Sequence, residues 1–170
     1  DAQAKTAKVG QWLPGPGMKL FDKVFEVYPN APIIAEDLGV FGEDVVQLLA
    51  DTGFPGMKVV QFGFDPNGDS SHMPHNAEKN SINYVGTHDN NTTVGWWQSL
   101  GTTERNAARH YLGAGMDSAP HWTLMRALSQ SVAHTVVFPF QDVLGLDGTH
   151  RMNTPGLASG CWAWRFDWSD

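Results

Sequence analysis

The feature that most constrains the fold is an alternation of short apolar runs with helical patterns. Pro and Gly separate four strand-like runs, which are Ile33–Ala35, Met57–Phe64, Ile82–Gly86 and Thr135–Phe140. Apolar residues at helical spacing mark the segments around them, which are Met18–Tyr28, Glu43–Thr52, Asn91–Leu100, Thr103–Leu112 and His121–Val132. Strands that alternate with helices predict an α/β fold with a parallel sheet covered by helices.

The length of the chain leaves two architectures open. Its 170 residues accommodate about four β/α units and are enough for one domain with a core. A closed eight-stranded barrel needs about 250 residues. The pattern therefore predicts either a small open α/β domain or about half of a barrel. In both architectures, function is expected at the carboxyl ends of the strands.

Composition excludes several classes of protein. A net charge of −7 without a Lys/Arg run argues against nucleic acid or an anionic membrane as a partner. No apolar run approaches the roughly 20 residues of a membrane span, and the N-terminus has no apolar signal core. A cytoplasmic protein is expected. The chain does not begin with Met, so a fragment is expected too. No particular oligomeric state is predicted.

Polar side chains follow each of the four predicted strands. These are Glu36 and Asp37, then Asp65, then Thr87–Asn90, and finally Gln141 and Asp142. One such position is usually explained by renewed solvation or by a helix cap. Polar residues after four successive strands favour a functional site at the edge of the sheet where the strands end.

Two of these carboxylates fit the chemistry of a polarised C–O bond. Glu36 directly follows an apolar run, and a partly desolvated carboxyl is suited to proton donation. Asp89 lies between His88 and Asn90 in a polar turn. Asp89 could instead cap the following helix, although Asn90 or Asn91 would serve equally well.

The sequence predicts no metal and no cofactor. His88 has no second histidine at ligand spacing, so a hydrogen bond to a sugar hydroxyl or a carboxylate is favoured. His72 and His75 have the spacing of a metal pair but lack a third ligand. Nucleotide and serine-hydrolase motifs are absent. Cys161 has no thiol partner and is expected to be inert.

Tryptophan is abundant, with seven residues in the chain. Trp96 and Trp97 follow the third predicted strand, where core packing is the default interpretation. Trp162, Trp164 and Trp168 alternate at even spacing, as on one face of an extended segment. We expect these three to pack against the sheet and helices, with sugar stacking as the alternative.

Six motifs in fixed order give the chain a family resemblance. They are WLPGPG (residues 12–17), PIIAEDLG (32–39), GFPGMKVVQFGFD (53–65), MPHN (73–76), YVGTHDNNTTVGWW (84–97) and RMNTPG (151–156). From about Val9 to Phe166 the chain resembles the C-terminal half of the 4-α-glucanotransferases, the amylomaltase or disproportionating enzymes of glycoside hydrolase family 77. The resemblance implies about strands 5–8 of a (β/α)8 TIM barrel of the α-amylase superfamily. Residues 1–170 would then form a single partial catalytic barrel domain.

The resemblance also implies an activity, partners and a location. Such enzymes transfer an α-1,4-glucan segment to the 4-hydroxyl of an acceptor sugar by a retaining mechanism. The implied partners are α-1,4-glucans, as both donor and acceptor. The PHN and THDNNTT forms resemble the bacterial and plastid branch, so a plastid is the alternative to the cytoplasm.

The family pattern assigns roles to residues of this chain. Glu36 corresponds to the acid/base, Asp89 to the stabiliser of the transition state, and His88 to a ligand of sugar hydroxyls. Further substrate-binding residues are expected among the polar residues of the same motifs, namely Asp37, His75, Asn76, Asn90 and Asn153. Cys161 departs from the pattern, because asparagine is expected there.

The family's nucleophile has no counterpart in the sequence. It is an aspartate in an R-x-D motif on the fourth strand of the barrel, and the R-x-D match in this chain, Arg165–Asp167, follows all four predicted strands and so does not occupy that place. Asp37 is not a substitute, because neighbouring side chains of an extended segment point in opposite directions. Two alternatives to a transferase therefore stay open: a related α-glucan hydrolase and a non-catalytic carbohydrate-binding half-barrel.

Overall fold

The computed structural model describes residue 10 and residues 12–39, 42–64 and 70–168. Asp65, one of the predicted polar strand ends, lies outside this part of the chain. The described residues fall into two compact units. The first comprises the described residues of 1–33 and 39–54, and the second comprises 34–38 and 55–168. That residues 1–170 form a single partial barrel domain stays a prediction.

The first unit contains two helices, α1 (Met18–Val27) and α2 (Glu43–Thr52). Both agree with the predicted helices within one residue. Helix α2 ends at Gly53, whose φ of 67° is the left-handed conformation that commonly ends a helix. Phe21 and Phe25 of α1 meet the ring of Phe54 edge-on, at 5.4 and 5.7 Å between centroids. Aromatic packing thus joins α1 to the residue that follows α2.

The second unit is built on a parallel sheet of three strands. These are β1 (Gly56–Val59), β2 (Ser81–Tyr84) and β3 (Thr135–Val137), in that spatial order. Val59 pairs with Tyr84, and Tyr84 pairs with Val137. The three strands therefore end at the same level, and we refer to this side as the carboxyl edge of the sheet.

The predicted strand Ile33–Ala35 is wrong, because this segment forms no ladder with a neighbouring strand in the described part of the chain. Ala35 donates one backbone hydrogen bond to the Pro55 carbonyl, at 3.0 Å. The next available donor, the N–H of Met57, is bound by the carboxylate of Asp37 at 2.6 Å. A side chain thus occupies a donor that a backbone carbonyl would use in a ladder.

The three other predicted strands all end earlier than expected, and the run Ile82–Gly86 leaves the sheet after Tyr84. The run Met57–Phe64 leaves the sheet after Val59 and forms a 3-10 turn at Val60–Phe62. The run Thr135–Phe140 ends as strand at Val137, and helix α7 (Phe140–Val143) begins after Pro139. Apolar residues continue past the ends of β1 and β3, so the sequence pattern did not show where these strands end.

Four helices pack around an apolar core. They are α3 (Thr93–Ser99), α4 (Thr102–Leu112), α5 (Gly115–Ser118) and α6 (Pro120–Ser129), with 3-10 turns at Pro74–Asn76 and Gly148–His150. The core includes Val60, Val85, Leu124 and both Trp96 and Trp97, which confirms the expected packing of the last two. Within the described residues, no helix has the length and apolar character needed to cross a membrane.

Helix α3 is fixed at its start by two side chains. Thr92 Oγ1 accepts the N–H of Gly95 at 3.1 Å, which makes Thr92 the helix cap. Asp142 Oδ1 accepts the N–H of Thr93 at 2.6 Å, and Asp142 is fully buried. Asp142 therefore secures α3 from inside the fold, whereas the sequence had suggested a residue at the functional edge.

We expect Gly95→Ala to lower the free energy of unfolding by about 1–2 kcal/mol. A Cβ at Gly95 would lie 2.6 Å from Asn91 Oδ1 and 2.7 Å from the Cα of Gly148. Overpacking costs about 1–3 kcal/mol, whereas Ala gains at most about 1 kcal/mol of helix propensity over Gly. Gly15→Ala is the matched control, since a Cβ there meets nothing within 4 Å. Equal urea midpoints for the two variants would contradict this packing.

Candidate active site

A cleft of about 730 Å³ lies at the carboxyl edge of the sheet. The segment after β2 contributes most of its lining, from Gly86 to Thr92. Pro139 and Gln141 follow β3 and line a second side. Glu36 and Arg151 line it as well. Segments that are distant in sequence thus meet where function was expected.

Glu36 lines this cleft and is exposed. The expectation that its carboxyl is partly desolvated is therefore wrong for this structure. The physical reason is that the preceding residues do not form a buried strand, and Ile34 is 50% exposed. Glu36 is accessible to a ligand in the cleft.

Asp37 is held away from the cleft lining. Its side chain is only 9% exposed and lies 3.6 Å from the Lys58 ammonium. Its Oδ1 also binds the N–H of Met57. These contacts give Asp37 a structural role, and substrate binding by Asp37 stays a prediction.

A compact turn at residues 87–90 forms the centre of the cleft. The Asn90 side-chain oxygen accepts the Thr87 N–H at 2.9 Å and the Thr87 hydroxyl at 2.8 Å. The Asp89 N–H approaches the Thr87 hydroxyl oxygen at 3.3 Å. Asn90 lines the cleft, yet its carboxamide oxygen is already used to close the turn. Only its amide N–H groups are then suited to bind a ligand.

Asp89 has a half-exposed carboxylate that is anchored from a distant loop. Asn153 Nδ2 donates to Asp89 Oδ1 at 2.6 Å, and His88 Nε2 lies 3.4 Å from the same oxygen. Arg151 Nη2 donates to the Asp89 backbone carbonyl at 2.8 Å. The capping alternative for Asp89 is wrong, because Thr92 caps α3. The predicted site residue Asn153 thus acts directly on Asp89.

His88 is held by the same loop and by an aromatic ring. Asn153 donates its backbone N–H to the His88 carbonyl at 3.1 Å. The indole of Trp162 packs on the imidazole, with centroids 4.9 Å apart and an angle of 41° between the planes.

The placement of Trp162 was missed by the sequence interpretation. Trp168 is 90% exposed, so its expected packing against the fold is wrong, whereas Trp162 is 55% exposed and packs against His88. Even spacing was the only local signal, and it does not identify a ring partner more than 70 residues earlier in the chain.

Comparison with known proteins supports the family resemblance of the sequence. The sequence profile of the 4-alpha-glucanotransferase family, glycoside hydrolase family 77, matches residues 1–169.

The chain belongs to this family.

Individual relatives are similar along nearly the whole chain. The chloroplastic/amyloplastic 4-alpha-glucanotransferase of Arabidopsis thaliana is 45% identical and covers 96% of this chain. The 4-alpha-glucanotransferase of Synechocystis is 44% identical over 95%. A structure of Streptococcus agalactiae amylomaltase in complex with acarbose superposes with a TM-score of 0.91 and 40% identity over 98% of this chain. This match confirms the prediction of part of a TIM barrel.

The chain spans about a third of the length of these relatives. The shares are 28% of the Arabidopsis protein, 32% of the Synechocystis protein and 34% of the Streptococcus chain. The matched segment contains Glu36, Asp89 and His88, and the catalytic roles of the first two and sugar binding by His88 stay predictions.

Two further residues that were expected to bind substrate lie away from the cleft lining. His75 lines a separate cavity of about 490 Å³, where its Nδ1 lies 2.9 Å from the Tyr111 hydroxyl. Asn76 donates to the Ser70 carbonyl at 3.1 Å. Sugar binding by His75 and Asn76 stays a prediction.

The His72 and His75 side chains have separate partners. His72 Nδ1 accepts the N–H of Val59 at 3.1 Å, whereas His75 contacts Tyr111. Among the residues that the structure describes, no group of three or more His, Cys, Asp or Glu could hold a metal ion.

Burial shifts the pKa of three groups behind the cleft. Burial lowers the pKa of His72, and the Lys58 ammonium lowers it further, against an opposing effect of Asp37. Burial lowers the pKa of His121, with Asp142 opposing. Burial raises the pKa of Asp142, opposed by its hydrogen bonds with Thr93 and by His121.

We expect the free energy of unfolding to fall as the pH drops from about 7.5 to 5.5. A depressed histidine pKa means that the unfolded chain takes up a proton first, near its ordinary value of about 6.5. His72 and His121 therefore stabilise the fold above this pH and lose that contribution below it. Asp142 has the opposite sign, because its raised pKa adds stability as it becomes protonated at lower pH.

Urea unfolding at a series of pH values checks this expectation. His72→Gln and His121→Gln should each flatten the decline between pH 7.5 and 5.5. His110→Gln, at an exposed histidine of α4, is the control and should leave the slope unchanged. A wild-type midpoint that does not change across this range would contradict the prediction.

Proposed function

We propose that the protein carrying this chain is a 4-α-glucanotransferase. It breaks an α-1,4-glucosidic bond and passes the released glucan to the 4-hydroxyl of an acceptor glucose or glucan. The observation that carries this proposal is that Glu36 and Asp89, from separate segments, line one cleft at the carboxyl edge of the sheet. The names of the relatives and the acarbose complex of the similar amylomaltase support it.

Glu36 acts first as general acid and then as general base. Its exposed carboxyl protonates the glycosidic oxygen as the C–O bond breaks. The resulting carboxylate then removes the proton from the acceptor 4-hydroxyl as the new bond forms. One residue serves both steps because the second step is the reverse of the first.

Asp89 stabilises the positive charge that develops on the sugar ring. Asn153 donates a hydrogen bond to Asp89 Oδ1, and His88 Nε2 lies near the same oxygen. The other oxygen, Oδ2, has no hydrogen-bond partner within the described part of the chain. A carboxylate held at one oxygen keeps a fixed position while its charge stays available to an oxocarbenium-like sugar. His88 binds sugar hydroxyls beside it.

The nucleophile of the retaining route is proposed to come from residues that this chain does not contain. A retaining pair requires carboxylates only about 5–5.5 Å apart. Asp37 is committed to Met57 and Lys58, and Asp142 is buried against α3. The relatives are about three times as long as the matched segment, which leaves room for this residue.

The donor and acceptor are proposed to be α-1,4-glucans such as maltooligosaccharides and amylose. The proposed location is the cytoplasm, or a plastid if the source is a plant or an alga. The chloroplastic and amyloplastic description of one relative supports the second location.

Maltotriose tests the proposed reaction in the full-length protein. Transfer converts two maltotriose molecules into glucose and maltopentaose, so the number of reducing ends is constant. We expect longer glucans to accumulate without a rise in reducing ends. A rise equal to the number of bonds broken would identify a hydrolase instead. Binding of maltotriose without any product would identify a carbohydrate-binding protein.

A further inference from the structure

Trp162 has a backbone conformation that a bulky residue rarely adopts. Its φ is 63°, and it is the one non-glycine with a positive φ in the part of the chain that the structure describes. Without glycine's freedom, this conformation is strained, and such strain is concentrated at functional sites. The indole is 55% exposed, so burial in the core does not explain why tryptophan stands here.

Local contacts hold this conformation in place. The Trp162 N–H donates to the Met152 carbonyl at 2.7 Å, and the Trp162 carbonyl accepts from Arg165 Nη1 at 3.2 Å. Next to it, Cys161 Sγ accepts the N–H of Thr154 at 3.4 Å. Residues 161 and 162 are therefore hydrogen-bonded to residues 154 and 152, respectively.

The segment that receives these bonds is also the one that holds the turn at 87–90. Asn153 binds the His88 carbonyl through its backbone and Asp89 Oδ1 through its side chain. Arg151 binds the Asp89 carbonyl. Trp162 adds the only ring contact of the His88 imidazole within the described residues, at 4.9 Å. The main chain of His88 is thus bound by Asn153, and its side chain contacts the Trp162 ring and lies 3.4 Å from Asp89 Oδ1.

We propose that Trp162 is a positioning residue that sets the orientation of the His88 imidazole. The ring contact holds the imidazole, whose Nε2 lies 3.4 Å from Asp89 Oδ1, in an orientation that meets hydroxyls of the sugar whose bond is cleaved. The left-handed backbone at residue 162 is the conformation that places the indole against His88. This inference rests on the proposed glucan transfer. In it, Trp162 affects the reaction only through His88.

Three variants of the full-length protein distinguish the effect of the Trp162 ring from the effect of its backbone conformation. Trp162→Gly removes the indole and relieves the strain, Trp162→Phe keeps an aromatic ring, and His88→Ala removes the positioned group. In maltotriose transfer we expect Trp162→Gly to lower kcat on the order of 10²-fold, the loss typical of a misplaced active-site group, with little change in KM. Trp162→Phe should restore most of this loss. A higher KM with an unchanged kcat would show sugar stacking and overturn the proposal.

A double-mutant cycle tests whether Trp162 acts through His88. If it does, the double variant Trp162→Gly/His88→Ala should transfer glucan no more slowly than His88→Ala alone. Losses that multiply would show independent roles and overturn the proposal. Circular dichroism and the thermal midpoint show whether each variant is folded, so that a folding defect is not mistaken for a kinetic effect.

The ring contact can be measured without any activity. In the ¹H–¹³C NMR spectrum, the indole ring current should shift the His88 ring signals, and Trp162→Gly should remove this shift. Unchanged His88 signals would overturn the proposal even if the enzyme is active. A protein that shows the NMR shift but no transfer would instead remove the proposed function.

Discussion

Replacing Glu36 with glutamine should abolish glucan transfer by the full-length protein while leaving glucan affinity nearly unchanged. The amide keeps the size and shape of the side chain but cannot supply a proton to the leaving oxygen. General acid catalysis is worth about 10²–10⁴-fold, and a sugar hydroxyl is a poor leaving group, so a loss at the upper end is expected. Maltotriose transfer gives kcat, and calorimetric titration with acarbose gives the affinity.

A substrate with a better leaving group tests whether the defect of Glu36→Gln is the loss of proton donation. Fluoride leaves without protonation, so an α-maltosyl fluoride donor should recover much of the first chemical step in Glu36→Gln. Asp37→Asn is the matched control, because it removes the neighbouring carboxylate charge from a residue that binds Met57 and Lys58. It should lower the thermal midpoint and retain kcat, and any contribution of Asp37 to substrate binding should appear in KM. Near-normal maltotriose turnover by Glu36→Gln would assign the acid to another residue.

Helices in this chain could be predicted from local sequence because their signals are local. Helix α2 begins with Glu43 and Asp44, which suit the positive end of the helix dipole. It ends at Gly53, which supplies the left-handed conformation. These features depend on residues within a few positions of each end, so no tertiary contact was needed to place the helix.

Strand ends were harder to predict because they depend on which backbone donors find partners. The apolar run at 33–35 suits a buried strand, yet Asp37 takes the Met57 N–H and ends the pairing before it forms a ladder. Asp142 likewise follows an apolar run, but its carboxylate binds Thr93, 49 residues earlier in the chain. In both cases a long-range side-chain contact decides the outcome.

The candidate site also combines features set by local sequence with features set by long-range contacts. The turn at 87–90 was predicted from its polar residues after an apolar run, and the structure closes it with local bonds between Thr87 and Asn90. The partners that anchor it, Asn153 and Trp162, lie 64 and 74 residues further along the chain. The sequence could therefore indicate the candidate site residues but not the contacts that orient them.

Replacing Asp89 with asparagine should lower kcat about 10³-fold, by a cause different from the loss of the acid. The substitution keeps the side-chain shape and removes one negative charge near the forming oxocarbenium ion. At about 4 Å and an effective dielectric constant of about 20, this attraction is worth about 4 kcal/mol. Each 1.36 kcal/mol corresponds to about a tenfold change in rate. Because the ground-state sugar is neutral, the loss should appear in kcat more than in KM.

The comparison with Asn153→Ala separates the charge of Asp89 from its position. Asn153→Ala leaves the carboxylate in place but removes the 2.6 Å hydrogen bond to Oδ1. One hydrogen bond contributes about 0.5–1.5 kcal/mol, so a loss of about tenfold or less is expected. An α-maltosyl fluoride donor should not rescue Asp89→Asn, because the transition state remains positively charged whichever group leaves. Rescue of Asp89→Asn by the fluoride, or a loss no larger than that of Asn153→Ala, would show that Asp89 contributes no charge stabilisation.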